Sequence, residues 1–129
     1  MSDMSAIVME FVEEGNEKAN QLERHLIDLE NNPTSSELLI EVFRALHTIK
    51  GATSFLGFTK LCALAHTGES LLARLRDGNL VTNQEIITAL LSLVDAIREV
   101  LGEIAKTGKE GNTDYADLTN TLTQLQQHA

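Results

Sequence analysis

The feature that most restricts the fold is a helical apolar rhythm that runs through nearly all 129 residues and breaks at only a few points. Val8, Phe11, Val12, Gly15, Ala19, Leu22, Leu26 and Leu29 recur at three- and four-residue steps, which sets them on one face of a helix with a charged, polar face opposite. The run stops at Asn31-Asn32-Pro33, because proline drives the residue before it away from helical angles. Thr34-Ser35-Ser36-Glu37 has the form of a capping box, a hydroxyl and a carboxylate three residues later that satisfy free amides at a helix start. A second helix is therefore expected from about Ser35. It carries Leu38, Leu39, Val42, Leu46, Ile49, Thr53 and Leu56 and breaks at Gly57, a residue free to take the left-handed backbone of a helix end.

A third helix, opening at about Phe58, should bury Leu61, Leu64, Ala65, Gly68, Leu71, Leu72 and Leu75 before stopping at Asp77-Gly78-Asn79. Thr82-Asn83-Gln84-Glu85 offers another capping box, for a fourth helix through Ile86, Leu90, Leu93, Val94, Ile97, Leu101 and Ile104. Lys106-Thr107-Gly108 closes it, with a cation near the negative helix end and a glycine just beyond. The polar, glycine-containing stretch 107–113 reads as the longest loop, and Tyr115, Leu118, Leu122 and Leu125 mark a shorter fifth helix. No strand pattern competes. Long helices joined by connections of about two to six residues pack as antiparallel neighbours. The expectation is one all-α domain over residues 1–129: an antiparallel up-down-up-down four-helix bundle with an additional C-terminal fifth helix attached at one end.

Composition narrows the partners. Only 4% of residues are aromatic and none is tryptophan, so Leu, Ile, Val and Ala must supply the packing. The formal charge of −9, from 19 acidic against 10 basic residues, opposes the counterion release that nucleic acids and anionic membranes reward. No apolar run approaches the roughly 18 to 20 residues needed to cross a bilayer, and MSDMSAIVME has neither a basic flank nor a signal-type hydrophobic stretch. A cytoplasmic location is expected, with neither nucleic acid nor membrane as partner. Cys62 is the only cysteine, which rules out an internal disulfide or a thiolate cluster within one chain and reads as a small packing residue near a helix surface.

At about 100° per residue, the apolar side chains of the second helix centre between Leu39, Leu46 and Thr53, and His47 falls to one side, at the boundary of core and solvent. Lys50 and Gly51 follow three and four residues on, so a positive charge and a missing side chain stand one turn above the imidazole. The same construction on the third helix sets Glu69 and Arg76 at the edge of the apolar stripe, with His66, Ala73 and Cys62 further round. If these helices form an antiparallel hairpin, a histidine–carboxylate pair becomes available. Such a carboxylate would fix the tautomer, orient the ring and enrich the other nitrogen as a nucleophile, while Lys50 and the open space over Gly51 would suit an incoming phosphate. Against this, a lone helical histidine is usually a surface or boundary residue, a flank carboxylate is usually just solvated, and a boundary lysine commonly snorkels. Gly51 is more pointed, since glycine inside a helix costs about 1 kcal/mol relative to alanine. His25, on a polar helix face, and His128 receive no role. A zinc site of His47, His66 and Glu69 lacks both the paired i, i+4 ligands and the HExxH pattern of helix-borne sites.

The segment FRALHTIKGATSFLGFTKLCALAHTGESLLARLRDG, residues 43–78, resembles the N-terminal phosphotransfer domain of CheA-type chemotaxis kinases. The likeness rests on His47-Thr48-Ile49-Lys50-Gly51, on Phe55-Leu56-Gly57-Phe58, and on His66-Thr67-Gly68-Glu69 followed by Leu71-Leu72 and Arg76-Asp77-Gly78. Thr48 stands where serine is common in that family, and Ala52 where a second glycine is common. The resemblance implies a histidine phosphotransfer (HPt) unit in which His47 is phosphorylated in trans by the ATP-bound catalytic domain of a histidine kinase and donates to an aspartate of a CheY- or CheB-like response-regulator receiver. It also implies that Glu69 orients and activates His47, with Lys50 and His66 in support. ATP and Mg2+ then belong to the partners, and the domain itself binds no cofactor. The chain is expected to be the N-terminal part of a longer kinase, and by itself a phosphocarrier. Because a docking face must surround His47, Arg44, Thr48, Gly51, Phe55 and Ala73 are the expected partner contacts. Two other readings stay open: a free-standing or hybrid-kinase phosphotransfer relay, and a helical interaction module without chemistry.

Overall fold

The computed structural model describes residues 3–127, with side chains over 6–127. Five helices follow in order: α1 Asp3–Asn31, α2 Ser36–Leu56, α3 Thr59–Arg76, α4 Gln84–Thr107 and α5 Ala116–Gln126, with no strand among the described residues. The expected stops operate. Gly57 takes φ 82°, and the Phe58 N–H returns to the Thr53 carbonyl at 3.0 Å, so α2 ends in the left-handed turn that glycine permits. His128 lies outside the described residues.

Both helix starts fall one residue later than the capping boxes imply. Ser35 Oγ accepts from the Leu38 N–H at 3.3 Å, and Asn83 Oδ1 accepts from the Ile86 N–H at 2.9 Å. The third helical residues are therefore Leu38 and Ile86, which cannot return a bond, and Glu37 and Glu85 serve only as first-turn charges favoured by the helix dipole. Burial decides the second case. Thr82 turns inward, 8% exposed, which leaves Asn83 to cap.

The predicted apolar faces meet. α1 packs on α2 and α4, α2 on α3, and α3 on α4, which closes the four-helix ring. Leu22, Leu26, Leu46, Leu61, Leu71, Leu90, Leu93 and Ile97 are fully enclosed, each contributing about 1.5–3 kcal/mol by leaving water. Phe58, buried at the α2–α3 link, stacks on Phe11 of α1 with ring centroids 5.6 Å apart. No described helix is long and apolar enough to cross a membrane.

α5 lies against α3 and α4 and buries Leu122 and Leu125. Its entry is fixed by the Tyr115 hydroxyl, which donates to Glu99 Oε1 at 2.7 Å. Burial, together with that bond to a carboxylate, pushes the phenol up from 10.0 to about 12. An unfolded chain releases this proton near pH 10 and the folded one near 12, so stability should fall as pH rises through that window. The chain holds one tyrosine and no tryptophan, so phenolate absorbance reads the group directly. Glu99→Gln should move the titration midpoint back toward 10, and a wild-type midpoint near 10 would contradict the bond to Glu99.

The start of α3 has no cap from its own sequence, since Phe58 is committed to the core. Glu110 of the α4–α5 loop does that work instead. Its carboxylate accepts from the Lys60 N–H at 3.2 Å and the Leu61 N–H at 2.6 Å, while Lys60 Nζ donates to the carbonyls of Gly111 and Thr113 at 2.8 and 2.9 Å. A carboxylate on free amides at a positive helix end is favoured by charge and geometry together. Glu110→Ala should cost about 1–2 kcal/mol in urea unfolding and expose the Lys60 and Leu61 amides to hydrogen exchange. Unchanged exchange at both amides would show that the cap contributes nothing.

Candidate functional site

The two-residue link between α2 and α3 sets the register of the site. His47 lies ten residues before Gly57 and Glu69 eleven beyond Phe58, so in an antiparallel hairpin the two are level. Their inward neighbours hold them there. Leu46 and Leu71 are fully buried, and Gly68 lets α2 and α4 close on α3.

Glu69 is 9% exposed and each of its oxygens has one partner. His47 Nδ1 lies 2.5 Å from Oε2, and Lys50 Nζ donates to Oε1 at 2.6 Å. Burial alone would disfavour the carboxylate, but the bonds from Lys50 and His47 outweigh it and hold its pKa below the ordinary 4.5. An ionised carboxylate only accepts hydrogen bonds, so Nδ1 must carry the proton. In neutral His47 the lone pair then resides on Nε2, in a side chain that is 61% exposed. The ring stands further into solvent than the boundary position its spacing suggests.

Lys50 differs from expectation in its engagement. It does not wait beside the imidazole as a free cation; its ammonium is bound to Glu69 and three-quarters covered. His66 is exposed and shares no hydrogen bond with Glu69 among the described residues; with Lys50, Ser54 and Cys62 it lines a groove of about 430 Å³ between α2 and α3. Nor does it join His47 and Glu69 in a three-ligand metal cluster among the described residues. Gly51 is exposed, and a Cβ built on it meets nothing within 4 Å.

The remaining predicted surface residues vary in freedom. Phe55 is 84% exposed, and Arg44 extends into solvent 3.7 Å from Glu41. Thr48 is exposed too, but its hydroxyl donates to the Arg44 carbonyl at 3.0 Å, so its proton is committed to its own helix. Ala73, one turn beyond Glu69, and Cys62 are half-buried. His25 departs from its expected polar face: it is half-buried, with Nδ1 enclosed and unpaired.

Two residues to which the sequence assigns no role stand at the site. The Phe43 ring is stacked on His47, centroids 5.9 Å apart and planes within 10°, and the Arg76 guanidinium lies 4.4 Å from the same phenyl centroid. The i, i+4 spacing of Phe43 and His47 is a readable signal. The reach of Arg76 across from α3 is not.

Fold and site together define a small helical domain built around one outward imidazole held by a buried carboxylate. Residues 6–100 match the Hpt domain family, and the chain belongs to that family. It is 35% identical over 127 residues to the sensor histidine kinase CheAY of Helicobacter pylori, covering 98% of this chain and 16% of that protein. To the chemotaxis protein CheA of Borreliella burgdorferi it is 34% identical over 115 residues, covering 89% of this chain and 13% of that protein. The chain thus spans only a small part of these relatives. Among solved structures it superposes on the phosphorylated P1 domain of CheA3, seen in complex with CheY6, from R. sphaeroides, with a TM-score of 0.89 and 26% identity over 95% of this chain and 97% of that one. It also matches the CheA phosphotransferase domain of Thermotoga maritima, with a TM-score of 0.76 and 34% identity over 81% of this chain and 98% of that one.

Proposed function

We propose that this domain is a phosphoryl carrier of chemotaxis-type two-component signalling, with His47 as acceptor and donor. The observation that carries the reading is the 2.5 Å approach of His47 Nδ1 to Glu69, which leaves Nε2 as the nucleophilic nitrogen of an exposed ring. In the first step Nε2 attacks the γ-phosphorus of ATP held by a kinase catalytic domain. An N–P bond forms, the bond from phosphorus to the bridging oxygen breaks, and ADP leaves. The Nδ1 proton stays in place, and Glu69 offsets the positive charge that develops on the ring. In the second step a receiver aspartate oxygen attacks the same phosphorus, the N–P bond breaks, and neutral His47 is restored.

The domain supplies no nucleotide site in this scheme. ATP and Mg2+ come with the partners, and the native chain continues into the kinase domains of a cytoplasmic CheA-type protein. Arg44, Thr48, Gly51, Phe55 and Ala73 serve as contacts for kinase and receiver. The kinase names of the relatives and the P1–CheY6 complex support this assignment.

Incubation with a CheA-type kinase and ATP radiolabelled at the γ-position should give acid-labile, base-stable label, which a receiver then removes. His47→Gln should take no label. Label that persists in that variant would overturn the assignment, and its absence from the wild-type domain would favour a module without chemistry.

A further inference from the structure

The Glu69 bond holds the His47 ring at one point in its plane and leaves rotation about the hydrogen-bond direction free. The Cβ–Cγ torsion of histidine is intrinsically broad, and a side chain that is 61% exposed has little packing to narrow it. In-line attack on phosphorus needs the Nε2 lone pair aimed, so something must also fix the plane. Phe43 meets that requirement. It precedes His47 by four residues on α2, helical side chains lean toward the N-terminus, and the two rings are parallel within 10°. The phenyl is itself held, half-buried, with the Arg76 guanidinium 4.4 Å from its centroid. Arg76 is tethered in turn, its Nε donating to Asp77 Oδ1 at 3.1 Å where α3 ends.

We infer that Phe43, backed by Arg76, is a positioning residue that sets the plane of the His47 ring for phosphoryl transfer. The inference rests on the phosphocarrier reading. Glu69 fixes tautomer and charge, Phe43 fixes the plane, and Arg76 keeps the phenyl from turning. With all three in place the His47 side chain remains 61% exposed, open to kinase and receiver.

The test uses the whole 129-residue domain and two readouts. Phosphorylation is followed with a CheA-type kinase and with phosphoramidate, whose P–N bond breaks as Nε2 bonds to phosphorus and ammonia leaves. The His47 ring-proton shifts are followed by NMR, which needs no phosphorylation. Phe43→Leu keeps apolar volume but removes the flat face. It should lower kcat with the kinase about 10-fold with KM unchanged, slow the phosphoramidate reaction similarly, and move the ring protons downfield as the phenyl ring current is lost. Phe43→Tyr should restore both. Arg76→Gln, at an exposed position that does not threaten folding, should give a smaller change in the same direction.

Unchanged rates in Phe43→Leu, or slowing that Phe43→Tyr fails to rescue, would overturn the inference. If wild-type His47 accepts phosphoryl from neither donor, the phosphocarrier reading falls instead. The ring shifts then decide alone: a downfield move in Phe43→Leu that Phe43→Tyr reverses upholds the platform, and none rejects it.

Discussion

Glu69→Ala is expected to slow phosphorylation of His47 by on the order of 10²-fold while the bundle stays folded, because the carboxylate selects the Nδ1–H tautomer and offsets charge as the N–P bond forms. Wild-type Nδ1 is 2.5 Å from Glu69 Oε2, and losing that acceptor lets the imidazole adopt either tautomer. Glu69→Gln separates the two contributions. Its carbonyl oxygen can still accept from Nδ1–H, but the charge is gone and the Lys50 ammonium faces an amide, so its rate should fall between the other two. An unchanged initial rate in Glu69→Ala, at matched kinase and ATP, would reject the pairing as functional. The same residue sets a pH dependence. Its folded pKa lies below 4.5, so its contribution to stability is present above the unfolded value and is lost as pH falls through the lowered one. Urea midpoints of wild type and Glu69→Ala should differ at pH 7 and converge in acid.

Periodicity made the helices legible because each has one apolar face, and Leu22, Leu26, Leu46, Leu61, Leu71 and Leu90 are buried where their spacing sets them. It understated α4. Ile87, Ala89, Ala96 and Val100 are buried as well, since α4 packs against α1, α3 and α5 and so needs a wider apolar surface than a two-neighbour helix. The candidate site divides in the same way. His47 and Glu69 could be set on facing flanks from helix geometry, and the short Gly57-Phe58 link brings them level. The engagement of Lys50 depends on where one long, flexible side chain finds a buried charge, which spacing cannot resolve. Glu110 was out of reach for a different reason. It caps a helix whose start lies some fifty residues earlier in the chain, and no local pattern announces such a bond. The chemical roles came from the HTIKG and HTGE elements, whose resemblance is far more specific than one histidine near one carboxylate.

Gly68→Ala should destabilise the domain by about 1–2 kcal/mol, although alanine is the better helix former by about 1 kcal/mol. A Cβ built on Gly68 would overlap Leu93 Cδ2 and lie 2.8 Å from Leu46 Cδ2, and both leucines are fully buried, so neither methyl can turn away without displacing the side chains packed around it. Leu46 precedes His47 and Glu69 follows Gly68, which makes this contact the spacer that sets how closely the two halves of the site approach. Phosphorylation of Gly68→Ala should therefore fall by more than its unfolded fraction explains, since small displacements of reacting groups are costly. Gly51 is the internal control. It too lies inside a helix, but a Cβ there meets nothing within 4 Å, so Gly51→Ala should gain about 0.5–1 kcal/mol. Urea denaturation of the two variants at pH 7 should thus move the midpoint in opposite directions. A midpoint for Gly68→Ala at or above wild type would mean that α2 and α4 do not close on α3 as tightly as the site requires.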